Sequence, residues 1–258
     1  MQNLTIGEFS LVYNAFSFTL AVMFAATVFL FLGRSQVAAP YRTAVTISAI
    51  VTMVAGYHYF RIFNSWEGSF SVLNDTIKPS GTRFNDAYRY VDWLLTVPLL
   101  LVELILVMRL PAGESAKKAT RLGILAALMI ILGYPGENAS DSSTRMIFWV
   151  LSMIPFVLIV LDLSGGLKKS LDAQAPSVRG LISTARWLTI ISWSFYPVVY
   201  LLPVLGLQGG TTRVAVQIGY AIADIVSKVG LGVLIYTISA RKSEIEITPP
   251  NLSPAVAS

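Results

Sequence analysis

Seven apolar runs, each close to bilayer length, constrain this chain more than any other feature. They cover residues 9–33, 42–64, 84–109, 118–135, 145–164, 180–204 and 213–240. A bilayer core takes about 20 apolar helical residues. In lipid a segment must satisfy its own backbone polar groups, so runs of this length become helices. The breaks carry turn punctuation: Gly33-Arg34, Pro79-Ser80-Gly81, Pro111-Ala112-Gly113, Pro135-Gly136, Gly165-Gly166 and Gly209-Gly210. Composition removes the alternatives. The chain is 55% hydrophobic and only 13% charged, against about 25% charged in soluble domains. It has no cysteine and one histidine, which excludes a disulfide framework, a thiol nucleophile and a multi-histidine metal cage. The reading is an all-α membrane protein with seven transmembrane helices.

The connections add detail. Residues 69–82 alternate, with Asn74-Asp75 at the middle, and predict a small β-hairpin between the second and third spans. Loops after spans one, three and five, with the tail, carry twelve Lys and Arg, against five on the other side. The positive-inside rule then puts the N-terminus outside and the C-terminus in the cytoplasm. Nothing basic precedes the first apolar run, where Glu8 is the only charge, so no signal peptide is expected. The formal charge of +5 sits in short loops, which argues for a bilayer partner and against nucleic acid. Residues 1–242 are expected to form one domain, and 243–258, with Pro249-Pro250, a flexible cytoplasmic tail.

Ionisable residues at membrane depth are costly and point to function. Arg89, Asp92 and Glu103 lie in the third span, and Asp224 and Lys228 in the seventh. Arg89, Asp92 and Thr96, spaced by three and four, share one helix face. Glu103 follows Asp92 by eleven residues, nearly the same face about 16 Å deeper. The span runs inward, so Asp92 lies in the outer half and Glu103 in the inner half. Asp224 and Lys228 are four apart. Lys228 has two readings: a structural ion pair with Asp224, or a desolvated amine bonded to a carbonyl cofactor. His58 either fills a helix interface or tunes a carboxylate. Trp93, Trp149, Trp193, Tyr196, Pro197 and Tyr200 cluster at or near mid-span. They either pack the core or sandwich a flat apolar ligand.

Three stretches carry a resemblance. Arg89-Tyr90-Val91-Asp92-Trp93-Leu94-Leu95-Thr96 through Glu103 resembles helix C of microbial rhodopsins. Trp193-Ser194-Phe195-Tyr196-Pro197 resembles helix F, and Asp224-Ile225-Val226-Ser227-Lys228 resembles helix G. Gly56-Tyr57-His58-Tyr59-Phe60-Arg61, Asn85-Asp86-Ala87-Tyr88 and Gly133-Tyr134-Pro135-Gly136-Glu137 are similar to the xanthorhodopsin and Gloeobacter-type proton pumps of the proteorhodopsin group.

The resemblance implies all-trans retinal bound to Lys228 as a protonated Schiff base. It implies Asp92 as counter-ion and proton acceptor, Asp224 as second counter-ion and Arg89 just outward of both. Thr96 would bond near Asp92, His58 would hydrogen-bond Asp92, and Glu103 would be the cytoplasmic proton donor. Trp93, Trp193, Tyr196, Pro197 and Tyr200 would line the retinal, with Met129, Gly133, Trp149 and Ser152 around its chain and ring. Leu100 would sit at the colour-tuning position, where leucine goes with green absorption. A buried cation needs compensating charge, and two carboxylates with one arginine leave the cluster roughly neutral. Glu103, with no cation near it in sequence, is expected to be protonated at rest.

The family also implies a prokaryotic plasma membrane, a homo-oligomer (trimer to pentamer) and no enzymatic activity. Carotenoid-binding members carry glycine where Trp149 stands, so no carotenoid antenna is expected. Residues 203–216 contain no Asp or Glu, which places proton release elsewhere. A light-driven outward proton pump is the leading reading. A sensory photoreceptor signalling to a membrane transducer is the alternative, against which Glu103 argues. A chloride pump would lack the charge at Asp92, and a non-photoactive seven-helix transporter would form no pigment.

Overall fold

A computed structural model describes residues 3–73, 76–139, 141–207 and 209–247. Helices α1 (Ile6–Gly33), α2 (Arg42–Gly68), α3 (Ala87–Met108), α4 (Ala112–Glu137) and α5 (Ser142–Leu161) follow in order. A short α6 (Lys168–Asp172) leads into α7 (Pro176–Tyr200). α8 (Gly210–Asp224), a wide π turn (Ile225–Gly230) and α9 (Leu231–Ile247) form one continuous seventh rod. Helices α1 to α5 pack on their sequence neighbours, and the seventh rod meets α1, α2, α3 and α7 to close the bundle.

The ends follow local chemistry. Thr5 and Glu8 form a reciprocal capping box at α1. The Asp141 side chain accepts the Thr144 amide at 2.7 Å and starts α5. Pro176 opens α7, where its missing N–H costs nothing. Arg109 ends α3 in the left-handed region, at φ 56°. α1 is apolar almost all round: Phe18 and Leu32 are exposed while Phe16 and Leu30 are fully buried. That pattern suits a helix with lipid on its outer face.

Among the described residues, six helices are long and apolar enough to cross a membrane by length and composition. The remaining span, α7, has 25 residues, enough to cross, but Arg179, Arg186 and its Ser, Thr and Tyr side chains dilute its hydropathy. Arg186, counted above with the loop cations, lies inside α7 and is buried.

The hairpin forms as expected. Strands β1 (Phe70–Leu73) and β2 (Thr76–Pro79) pair antiparallel, Phe70 opposite Pro79 and Leu73 opposite Thr76. Its expected tip, Asn74-Asp75, lies outside the described residues. Ile77 and Phe70 join Trp66, Phe16, Tyr59 and Val214 in a core cluster at the outer end of the bundle. A larger cluster fills the middle and the inner end. α9 runs to Ile247, so residues 243–247 belong to a helix. Residues 248–258 of the expected tail lie outside the described residues.

Candidate functional site

The five ionisable residues singled out at membrane depth are all buried. The structure brings four of them together. Lys228 sits inside the π turn, a widening common at functional sites. Its Nζ lies 3.3 Å from Asp92 Oδ2 and bonds Asp224 Oδ1. Asp224 also accepts Tyr59 at 2.7 Å and Tyr196 at 2.8 Å. Arg89 donates to the Tyr59 hydroxyl at 3.3 Å and to the Gln217 side chain. Its guanidinium also stacks over the Tyr220 ring, 5.0 Å from the centroid. Two cations and two carboxylates thus neutralise one another. Removing either member of such a buried pair strands a charge.

His58 and Thr96 stand near Asp92 without bonding its carboxylate. His58 Nδ1 is 3.9 Å from Asp92 Oδ1, too long for a hydrogen bond. That nitrogen lies 2.9 Å from the Val54 carbonyl of its own helix. The expected His58–Asp92 bond is therefore replaced by ion-pair distance. Thr96 donates to the Asp92 backbone carbonyl at 2.8 Å. Asp92 Oδ1 is buried with no hydrogen-bond partner among the described residues.

Beside this cluster lies an apolar cavity walled largely by aromatic side chains, the kind of lining small-molecule sites use. The sequence-derived aromatics Trp93, Trp149, Trp193, Tyr196 and Tyr200 all line it, with Pro197. Leu100, Met129, Gly133 and Ser152 line it too, and so does Ser227, the residue before Lys228. The walls are fixed by hydrogen bonds. The Trp149 indole donates to the Pro197 carbonyl at 3.0 Å, linking α5 to α7. That carbonyl is free because the chain beyond Tyr200 turns: the Leu201 amide bonds Val198 instead. Ser152 donates to the Met129 carbonyl at 2.8 Å, and Tyr200 to the Gly133 carbonyl at 3.2 Å.

Glu103 stands apart from the cluster, deeper along α3. It is wholly buried, and Ser48 of α2 donates to its Oε2 at 2.8 Å. Its Oε1 has no partner among the described residues. Sequence reasoning missed Ser48, Tyr59, Gln217, Tyr220 and Ser227. Gln217 was findable: it stands seven residues before Asp224, two turns away on the same face. Tyr59 carried no such signal, since its bond to Asp224 depends on how α2 meets the seventh rod.

The bacteriorhodopsin-like protein family matches residues 12–241. Green-light absorbing proteorhodopsin of Gamma-proteobacterium EBAC31A08 is 29% identical over 234 residues, covering 90% of this chain and 88% of that protein. The crystal structure of xanthorhodopsin, described as a light-driven ion pump with dual chromophore, superposes with a TM-score of 0.92 at 50% identity. The match covers 95% of this chain and 98% of that one. A thermophilic rhodopsin structure gives 0.92 at 41% identity, over 96% of this chain and 100% of that one. Family, fold and buried site concur: the chain belongs to the bacteriorhodopsin-like family, as a multi-pass membrane protein of the microbial rhodopsin group.

Proposed function

We propose that this chain is a light-driven outward proton pump that uses all-trans retinal carried on Lys228. The observation that carries the reading is the Lys228 amine, buried between Asp92 and Asp224 beside an aromatic cavity. The likeness to a structure described as a light-driven ion pump supports it.

The residues fit retinal. The cavity is apolar and walled by flat rings, and the lysine next to its Ser227 wall is fully buried. Trp93, Trp193, Tyr196 and Tyr200 would hold the polyene, with Leu100, Met129, Gly133, Trp149, Ser152 and Pro197 around it. Bound retinal supplies light absorption and a change of shape that moves the nitrogen it shares with Lys228.

The chain's own groups do the rest. Lys228 Nζ holds a proton at rest against two carboxylates. Asp92 Oδ2, at 3.3 Å, is the acceptor, and its unpartnered Oδ1 leaves capacity for that proton. Asp224, held by Tyr59 and Tyr196, keeps its charge and balances Arg89. Glu103 holds a proton at rest in apolar surroundings and returns it to Lys228 Nζ from the inner side. Acceptor outward and donor inward make the transfer outward, at about 2.3 kcal/mol per proton per 100 mV. The same reading carries a homo-oligomer of three to five copies and no carotenoid antenna.

Two variants test it. Lys228→Ala forms no visible pigment with added retinal. Glu103→Gln forms pigment, but flash photolysis shows the return of the proton to Lys228 slowed by about tenfold or more. A coloured Lys228→Ala protein, or an unchanged Glu103→Gln cycle, contradicts the reading.

A further inference from the structure

The inner end of α3 lies between Glu103 and the cytoplasm, and its backbone is closed in an unusual way. The last carbonyls of a helix have no partner within it and normally turn to water. Here the Leu106 carbonyl takes the Arg109 amide. The Val107 and Met108 carbonyls take the ammonium of Lys242, from α9, at 2.9 and 3.2 Å. The Met108 carbonyl also takes the Gln174 side chain, from the turn before α7, at 3.1 Å. Side-chain donors from α9 and from the turn before α7 thus occupy these carbonyls. Val107 and Met108 are themselves buried, and so is Lys242. Around them, Tyr41 lies under the charges of both Arg109 and Lys242, each 5.7 Å from its ring centre, and bonds Glu246.

A lysine buried by lipid-facing helices needs a reason. This one has no carboxylate within ion-pair distance among the described residues, and it spends its charge on two backbone carbonyls. Those carbonyls lie about one turn beyond Glu103. Glu103 is wholly buried, and its Oε1 has no partner among the described residues.

We infer that Lys242 is the inner gate of the chain: its bonds to Val107 and Met108 close the cytoplasmic end of α3, and their release admits the water that reloads Glu103. The inference rests on the pump reading for the role of Glu103. The closure itself does not. Lys242 acts through α3 and is a positioning residue. Gln174 ties the same carbonyl to the turn before α7, so a movement of α7 would loosen the gate from its second side.

The test uses the full chain with retinal, in lipid nanodiscs, as wild type, Lys242→Met and Lys242→Arg. Two readouts are taken: dark amide hydrogen exchange over residues 104–108, and the flash-induced step that Glu103→Gln slows. Lys242→Met is expected to raise exchange at that end about tenfold, the effect of losing a charged hydrogen bond. Exchange in α4 and α5 stays unchanged, and uptake through Glu103 becomes faster. Lys242→Arg, which keeps donors and charge, stays within about twofold of wild type. Exchange in Lys242→Met equal to wild type overturns the inference, as does a rise spread over all helices. If Glu103→Gln leaves the cycle unchanged, the pump reading fails, while the exchange data still decide the closure. Should Lys242→Met form no pigment, Gln174→Leu takes its place: raised exchange at residues 104–108 supports the gate, and unchanged exchange overturns it.

Discussion

Lys228 Nζ lies 3.3 Å from Asp92 Oδ2, although α3 and the seventh rod are separated by three other spans in the chain. Asp92 therefore supplies half of the charge that holds the buried lysine. Asp92→Asn keeps the shape and removes that charge. The pigment should still form, because Asp224 remains bonded to Lys228. Its absorption should move to longer wavelength, and light should no longer release a proton from Lys228. Breaking a buried pair costs about 3–5 kcal/mol, so the pigment should also melt earlier. Absorption spectra and thermal bleaching check both.

Gly136 sits against the wall of the cavity. A Cβ there would collide with the Tyr200 hydroxyl and stand 2.7 Å from Phe148 Cβ. Gly136→Ala should push Tyr200 off the Gly133 carbonyl and cost about 1–3 kcal/mol by overpacking. The expected outcome is a lower bleaching temperature and a shifted absorption band. Gly113→Ala, where a Cβ meets nothing within 4 Å, is the matched control: it should leave the absorption unchanged and the bleaching temperature equal or slightly raised, since alanine favours a helix over glycine.

Trp149 fills the gap between α5 and α7 and anchors itself on Pro197. A carotenoid laid against that gap finds an indole where a ring would enter. Added carotenoid should give no sensitised retinal excitation in the wild type. Trp149→Gly removes the wall and the hydrogen bond, and should lower pigment stability by about 2 kcal/mol or more. An excitation spectrum with carotenoid bands in the wild type would contradict this account of Trp149.

Asp141 gives a pH-dependent handle outside the membrane. Its carboxyl is held below the ordinary range by the Thr144 backbone amide and hydroxyl. A group lowered in the folded state stabilises above its ordinary value and loses that contribution as pH falls through the lowered one. Asp141→Ala should therefore lower the melting temperature slightly near neutral pH. The difference from wild type should shrink as pH falls below about 4. Asp141→Asn keeps a capping oxygen and should show no such pH dependence. Melting curves across the acid range check the sign.

The spans were legible because lipid imposes one rule on every backbone group. Their ends were less so. The apolar run starts at residue 118, yet α4 begins at Ala112, because Glu114, Ala116 and Lys117 favour helix although this charged stretch reads as loop by hydropathy. α7 stops at Tyr200, four residues short of the apolar run, and the chain then turns through Gly206 at φ 75°. Arg89, Asp92, Asp224 and Lys228 announced themselves through the cost of charge in lipid. The cavity-lining aromatics stood out by their mid-span placement, but only the resemblance chose a ligand for them, since mid-span tryptophans pack cores as readily as they hold ligands. The π turn around Lys228 and the Ser48 bond to Glu103 depend on how helices meet, and no local pattern encodes them. Lys242 read as a surface cation because sequence position cannot say that α9 turns it inward.

The central claim is outward transport of protons by light. The most direct measurement is the external pH of an unbuffered suspension of cells expressing the chain with added retinal, illuminated with and without a protonophore. The account predicts acidification in the light that the protonophore abolishes, and that Asp92→Asn eliminates. A coloured protein with no pH change would contradict the pump and favour a sensor. Alkalinisation abolished by the protonophore would mean inward transport, and would overturn the assignment of Asp92 as acceptor and Glu103 as donor.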